Sequence, residues 1–367
     1  MYPRVNVDLS KVNQNLDAVS RITHGGNCSM MIVTKGFCAD EKIVAEIAKH
    51  PGVDFLADSR IKNIAAYADL AHQNGKETVL LRLPMGTEVD EVVKYVDLSF
   101  NSELATIRLL DEAAGKAGKK HNILLMIDLG DLREGIFFQE EDTIMETVSE
   151  ILKLANINLY GIGVNLTCYG AVIPKNDNLS ILVDIAKKIE EKFGVKLAMV
   201  SGGNSSSIYL LGGNDVLKSR ELPEGINNLR LGECFILGND TAYGTKIPGT
   251  CSDALILEAE IIELKSKQSL PIGETGVDAF GQKPVYEDRG IRRRAIVAVG
   301  QQDITLDSMT PVDERLVILG GSSDHTIVDV TEAGDQYKVG DTISFELGYG
   351  GMLKAFTSAY VDRAYRK

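Results

Sequence analysis

Two stretches of this chain carry residue types that could act together on a small molecule. The first is Ser29-Met30-Met31-Ile32-Val33-Thr34-Lys35-Gly36, in which Lys35 follows an apolar run. At the end of a buried strand, low dielectric disfavours an ammonium and lowers its pKa. A partly neutral amine attacks carbonyl carbon, so a Schiff base is its natural use. The plain alternative is a strand-end lysine whose ammonium reaches water. The second stretch is Ser201-Gly202-Gly203-Asn204-Ser205-Ser206-Ser207. Its glycines allow close backbone approach and its serines offer hydroxyls. The apolar residues 208–211 behind it could open a helix, an arrangement suited to a phosphate. Taken alone, a glycine-serine turn without a ligand is the simpler account.

Elements must bring these stretches together. Short apolar runs recur at 29–33, 53–57, 78–82, 96–100, 123–128, 159–166, 197–201 and 228–235. Their lengths suit buried parallel strands. Segments of helical period lie between them, at 40–48, 59–73, 102–117, 140–154 and 179–193. Ser59 and Ser102 read as N-caps. Eight alternating strand and helix signals predict an α/β fold, a (β/α)8 TIM barrel. A doubly wound open sheet is the alternative, but no GxGxxG follows the first strand. After residue 243 the pattern changes to strand-like runs at 254–264, 294–299, 316–319, 325–330 and 342–345. This predicts a smaller, mostly antiparallel β domain over 244–367, behind a barrel over 11–243. The alternating residues 1–10 are expected to join that β domain as a strand.

The 367 residues suffice for both parts, and 44% hydrophobic with 25% charged residues is an ordinary globular balance. A formal net charge of -13 argues against nucleic acid or an anionic membrane as partner. No apolar run approaches a membrane span, and the N-terminus shows no signal-peptide core. Cys28, Cys38, Cys168, Cys234 and Cys251 are scattered and odd in number, which fits a reduced, cytoplasmic protein. Neither the cysteines nor the five histidines are spaced as metal ligands, so no metal centre is expected.

In a TIM barrel the active site lies at the C-terminal ends of the strands. Lys35, Asp128 to Arg133, Asn165, the 201–207 loop and Arg230 all fall at those ends in the predicted barrel. A phosphate cradle after strand seven recurs in such barrels. Lysine and phosphate cradle in one pocket point to pyridoxal 5'-phosphate, or to a sugar-phosphate aldolase. No GxxxxGK[ST] loop is present for a nucleoside triphosphate.

The stretches Val33-Thr34-Lys35-Gly36-Phe37, Asp128-Leu129-Gly130-Asp131-Leu132-Arg133-Glu134-Gly135, Arg230-Leu231-Gly232-Glu233 and Gly321-Ser322-Ser323-Asp324-His325 follow the opening Tyr2-Pro3-Arg4-Val5 in order. Together they resemble the alanine racemase-type, fold-type III pyridoxal phosphate enzymes. Asn165 to Gly170, the Ser-Gly-Gly-Asn-Ser loop and Gly276 to Gln282 are most similar to the ornithine racemase branch. The resemblance implies a racemase interconverting L- and D-amino acids by α-proton abstraction and return, with ornithine or a related basic amino acid as substrate. It implies that Lys35 holds the cofactor and moves the α proton on one face. Arg230 would bond the pyridine nitrogen, and Arg133 would meet the substrate carboxylate. Asn165 would lie behind the ring. Ser201, Gly202, Gly203, Asn204, Ser205, Gly232 and Glu233 would hold the phosphate, with Tyr349 reaching it. It also implies a homodimer with shared active sites.

One departure stands out. Phe280 falls where that family carries a tyrosine base, and phenylalanine cannot carry a proton. Asp324 and His325 are the substitutes expected here, with Cys168, Tyr169 and Asp278 as alternatives. Ser323 and Asp324 are expected near the substrate. Asp324, Asp303, Asp278 and Glu233 are candidates for a distal ammonium. A decarboxylase, or a D-amino acid aldolase or dehydratase, is the alternative reaction on the same scaffold. A non-enzymatic pyridoxal phosphate carrier is disfavoured by the added β domain.

Overall fold

The computed structural model describes residues 1–367. The chain divides into two compact units, 11–251 and 1–10 with 252–367. The first is a closed barrel of eight parallel strands: Ser29–Val33, Phe55–Asp58, Glu77–Leu80, Leu98–Asn101, His121–Asp128, Ile157–Gly163, Met199–Ser201 and Asn228–Leu231. Each pairs with its neighbour in chain order, and the last closes on the first with Arg230 opposite Met31. Alternate residues point inward. Met31, Val33, Ala57, Val79, Leu98, Phe100, Leu124, Met126 and Met199 form one buried cluster, the packed centre of the barrel.

The eighth strand is shorter than the apolar run 228–235 suggests. It stops at Leu231, and Glu233–Leu237 is a short helix with Gly232 as its N-cap. The hydroxyl of Ser205 accepts from the Gly232 and Cys234 amides at 3.2 and 3.3 Å, so these groups are satisfied as helix-end donors, not as a sheet ladder. The expected serine caps are also displaced. Helices Ile61–Gln73 and Leu104–Lys116 begin after Arg60 and Glu103, with no side-chain cap. Asp58 takes over at the first, accepting from the Arg60 amide at 2.8 Å and the Asn63 side chain at 3.1 Å. A short helix, Val89–Tyr95, left no clear periodicity in the sequence.

Residues 244–251 stay with the barrel unit, so the break falls after Cys251 and not after residue 243. The Asn15 side chain fixes them, donating to the Cys251 carbonyl at 2.9 Å and accepting from its amide at 2.7 Å. In the other unit the long strand Leu255–Gln268 is central. It pairs antiparallel with Arg4–Asp8, Thr342–Leu347 and Ile291–Val297. Thr326–Asp329 and Val317–Gly321 extend the sheet beyond Ile291–Val297. Met309–Pro311, Asp362–Arg366 and helix Tyr349–Thr357 complete this unit, and none of them was evident from the sequence.

Candidate active site

Lys35 opens a short 3-10 turn, Lys35–Phe37, just past the first barrel strand. It is half-buried, and no hydrogen bond or ion pair holds its amine. Burial pushes its pKa below the ordinary lysine value, and the Arg133 and Arg230 charges push the same way against Cys168 and Asp58. Thr34 anchors the backbone before it, donating to Asp58 Oδ2 at 2.6 Å. Asp58 is fully buried, and burial raises its pKa against the bonds from Thr34, Arg60 and Asn63.

Arg230 points into the barrel from the last strand. It is 4% exposed and lies 5.1 Å from the centre of the Phe100 ring. Nη1 donates to Ser201 Oγ at 2.8 Å, and Nη2 donates to the Val164 carbonyl at 2.7 Å and to Asn165 Oδ1 at 3.5 Å. None of these partners is a carboxylate, and burial pushes the guanidinium down to about 10.

Asn165 shares this corner. Its Oδ1 accepts from Asn204 Nδ2 at 3.2 Å, and Cys168 Sγ lies 3.7 Å from it. Its own Nδ2 is buried and has no partner. Asn204 also donates to the Leu166 carbonyl at 2.9 Å and to Cys168 Sγ at 3.2 Å. Its Oδ1 accepts from the Ser206 amide at 2.8 Å, capping the 3-10 helix Ser205–Leu211. Gly203 has φ +111°, and a Cβ there would meet Ser207 Oγ at 2.6 Å. A glycine is therefore required for the Gly203 carbonyl to take the Arg230 amide at 3.0 Å.

Residues 7–226 match the family described as alanine racemase, N-terminal domain. The chain belongs to the alanine racemase family. It is 52% identical over 363 residues to an ornithine racemase of Acetoanaerobium sticklandii, covering 99% of each chain. It is 38% identical over 365 residues to a lysine racemase of Thermotoga maritima, covering 100% of this chain and 99% of that one. The solved alanine racemase of Streptomyces coelicolor A3(2) superposes with a TM-score of 0.72 at 15% identity, covering 99% of this chain and 97% of the other.

This alanine racemase family member also builds its site from a residue whose role the sequence did not disclose. Asp131 is fully buried and accepts from the amides of Thr167, Tyr169 and Val172 at 2.9, 3.1 and 3.3 Å. It moors the loop that presents Cys168, where Thr167 has φ +75° and Ala171 φ +54°. A buried carboxylate of this kind leaves no periodicity, and in a loop that also carries Asp128, Arg133 and Glu134 one more charged residue does not stand out. Arg133, in the preceding segment, pairs with its neighbour Glu134.

Lys35, Asn165, Ser201, Asn204, Ser205, Arg230 and Gly232 thus meet at one end of the barrel. Arg133 acts on the same cluster through its charge. Glu233 stands in the first turn of helix Glu233–Leu237, where burial raises its pKa. Ser323, Asp324, His325 and Tyr349 belong to the other unit. Asp324 and His325 pair with each other there, with Oδ1 and Nδ1 2.8 Å apart. Asp303 accepts from the Ser358 hydroxyl at 2.7 Å, a bond internal to that unit. Phe280 and Asp278 lie in the exposed segment 270–290, where Asp278 accepts from the Phe280 and Gln282 amides at 2.9 and 2.8 Å.

Proposed function

We propose that this chain is a pyridoxal 5'-phosphate-dependent amino acid racemase whose substrate is ornithine, with lysine the nearest alternative. The chemistry is carried by Lys35, an amine held at a barrel mouth with a lowered pKa and no counter-ion. The substrate reading rests on the ornithine racemase and lysine racemase relatives.

The residues present fit the cofactor. The buried Asn165 Nδ2 lacks a partner, and Arg230 is a buried donor without a carboxylate. Both are costly unless something polar fills the site. The Ser205 hydroxyl accepts from the Gly232 and Cys234 amides and keeps its own O–H to donate to a phosphate. When bound, the cofactor supplies an electron sink that acidifies the α carbon.

The chain's own groups then divide the work. Lys35 would hold the cofactor and would move a proton at the substrate's Cα. Arg230 keeps its protons, so it would hold the cofactor's ring nitrogen by a hydrogen bond without protonating it, which would limit the electron sink and favour return of the proton over side reactions. Ser201, Gly202, Gly203, Asn204 and Ser205 hold the phosphate end with Gly232 and Glu233, and Tyr349 is assigned to the same end. Arg133 meets the substrate carboxylate; Ser323 and Asp324 are assigned to the substrate's other end.

The working state that we infer is a cytoplasmic homodimer with shared active sites. Ile272, Val277, Phe280 and Val285 support the dimer, since all four are exposed on segment 270–290. No helix is long and apolar enough to cross a membrane.

Reconstituted protein should show the visible absorbance of lysine-bound pyridoxal phosphate, lost in Lys35→Ala. L-Ornithine in D2O should gain deuterium at Cα while losing optical rotation. A colourless reconstituted protein sinks the cofactor assignment, and carbon dioxide release would move the reaction to decarboxylation.

A further inference from the structure

Inverting a carbon centre by proton transfer needs a proton-handling group on each face. Lys35 accounts for one. Four titratable groups lie near enough to Lys35 to bear on its pKa: Cys168, Arg133, Asp58 and Arg230. The two guanidiniums do not give up protons. Asp58 is fully buried and already bonded to Thr34, Arg60 and Asn63. Asp131 and Asp128 are committed to backbone amides, and Glu134 is paired with Arg133.

Cys168 is different. Its thiol is exposed at the barrel mouth on a loop fixed from below by Asp131. Asn204 Nδ2 donates to its sulfur at 3.2 Å, and the thiol points to Asn165 Oδ1 at 3.7 Å, so two side chains orient the sulfur. Beside it stands Asn165, 8% exposed, with Nδ2 left without a partner. Asn165 Oδ1 faces the sulfur and Nδ2, the other end of the same amide, is left to donate to a polar ligand in this corner.

We propose that Cys168 is a catalytic residue, the group that exchanges the α proton on the face of the substrate opposite Lys35. The proposal rests on the racemase reading above. In one direction the Cys168 thiolate takes the proton: the Cα–H bond breaks, an S–H bond forms, and the electron pair stays with carbon. The Lys35 ammonium then gives a proton to the other face. Its N–H pair remains on nitrogen, and the carbon pair forms the new Cα–H bond. The products are an inverted centre, a thiol and a neutral amine. Those are the protonation states the reverse direction requires, and exchange with water resets them.

The test uses Cys168→Ala and Cys168→Ser in the reconstituted enzyme, followed in D2O with each ornithine enantiomer. Inversion should fall about a hundredfold or more. One enantiomer, the one whose α proton faces Lys35, should still exchange deuterium with retained configuration. A second measurement needs no cofactor: in the native chain, iodoacetamide should modify Cys168 at least about tenfold faster at neutral pH than the other exposed cysteine, Cys38. Racemisation of Cys168→Ala within about threefold of wild type overturns the proposal. So does equal loss of exchange for both enantiomers in a variant that still binds the cofactor, or alkylation no faster than at Cys38. If wild type itself exchanges no α proton, it is the racemase reading that fails.

Discussion

Arg230, on the last barrel strand, and Lys35, just past the first, are two cations that share no carboxylate. Leu231 lies opposite Ile32 in the sheet, which places both side chains near the same strand ends. The charge of Arg230 helps to lower the Lys35 pKa. Such an arrangement costs stability in the unliganded chain and is sustained by what the site must bind.

The cost at Lys35 predicts a pH-dependent gain on removing it. The folded pKa lies below the unfolded value of 10.5, so the unfolded chain binds more protons between the two. Below the folded value the full penalty is present, and it disappears as pH rises towards 10.5. Lys35→Met should therefore raise the melting temperature of the cofactor-free protein at pH 7, by about 2–4 °C for each kcal/mol relieved. The gain should shrink steadily towards pH 10. A lower melting temperature for the variant at pH 7 contradicts the buried-amine argument.

Arg230→Met should show a comparable trade. The side chain makes two good hydrogen bonds to neutral groups but no ion pair. Replacing a buried, unpaired charge by an apolar side chain of similar length should leave the cofactor-free chain at least as stable. Turnover should fall by about two orders of magnitude or more, since the site loses its most deeply buried cation. Calorimetry and steady-state rates on the same preparation check both halves.

Asp131 tests whether the Cys168 loop is held from beneath. Asp131→Ala removes one acceptor group from three amides and should cost about 2–4 kcal/mol. Asp131→Asn keeps a single oxygen acceptor and should cost about half as much. Urea unfolding measures both. The alkylation rate of Cys168 should change in step with stability, and an unchanged rate would detach the loop from this carboxylate.

The barrel was legible because its strands, buried on both faces, are nearly continuous apolar runs that recur with helices between. Lys35 and Arg230 were legible for a related reason: a charged residue at the end of, or inside, an apolar run conflicts with its surroundings. Asp131 was not, because its function is to accept amides from a loop 36 to 41 residues further along the chain. The end of the eighth strand was missed because Glu233–Leu237 is apolar in either conformation, and only the Ser205 hydroxyl reveals a helix end there. The serine caps failed for the converse reason. Their residue type was right, but Asp58 accepts the Arg60 amide at the helix start instead.

Segment 270–290 carries the case for a dimer. Ile272 is 93% exposed and Val285 is 96% exposed, with Val277 and Phe280 between them. Clustered apolar side chains with no cover from their own chain mark an association surface. The double variant Ile272→Ser, Val285→Ser should weaken self-association by about tenfold or more. It should leave the melting of the barrel unit unchanged. Sedimentation velocity reads the first effect, and a monomeric wild-type protein would remove the basis for the shared site.

His121 predicts an acid limit that belongs to the barrel itself. It starts the fifth strand, 1% exposed, with Nε2 2.8 Å from Ser99 Oγ and Nδ1 without a partner. Burial pushes its pKa down from 6.5 to about 4. Below pH 6.5 the unfolded chain takes up a proton that the folded chain refuses until about pH 4, so acid draws the equilibrium towards unfolding. The stability present above pH 6.5 should fall by about 3 kcal/mol as pH drops to 4, beyond what the carboxylates contribute. His121→Gln isolates that share, because glutamine takes no proton in this range. Urea unfolding of both proteins at pH 7 and pH 4 should show wild type losing about 3 kcal/mol more than the variant. Parallel losses would mean that the histidine is protonated within the fold.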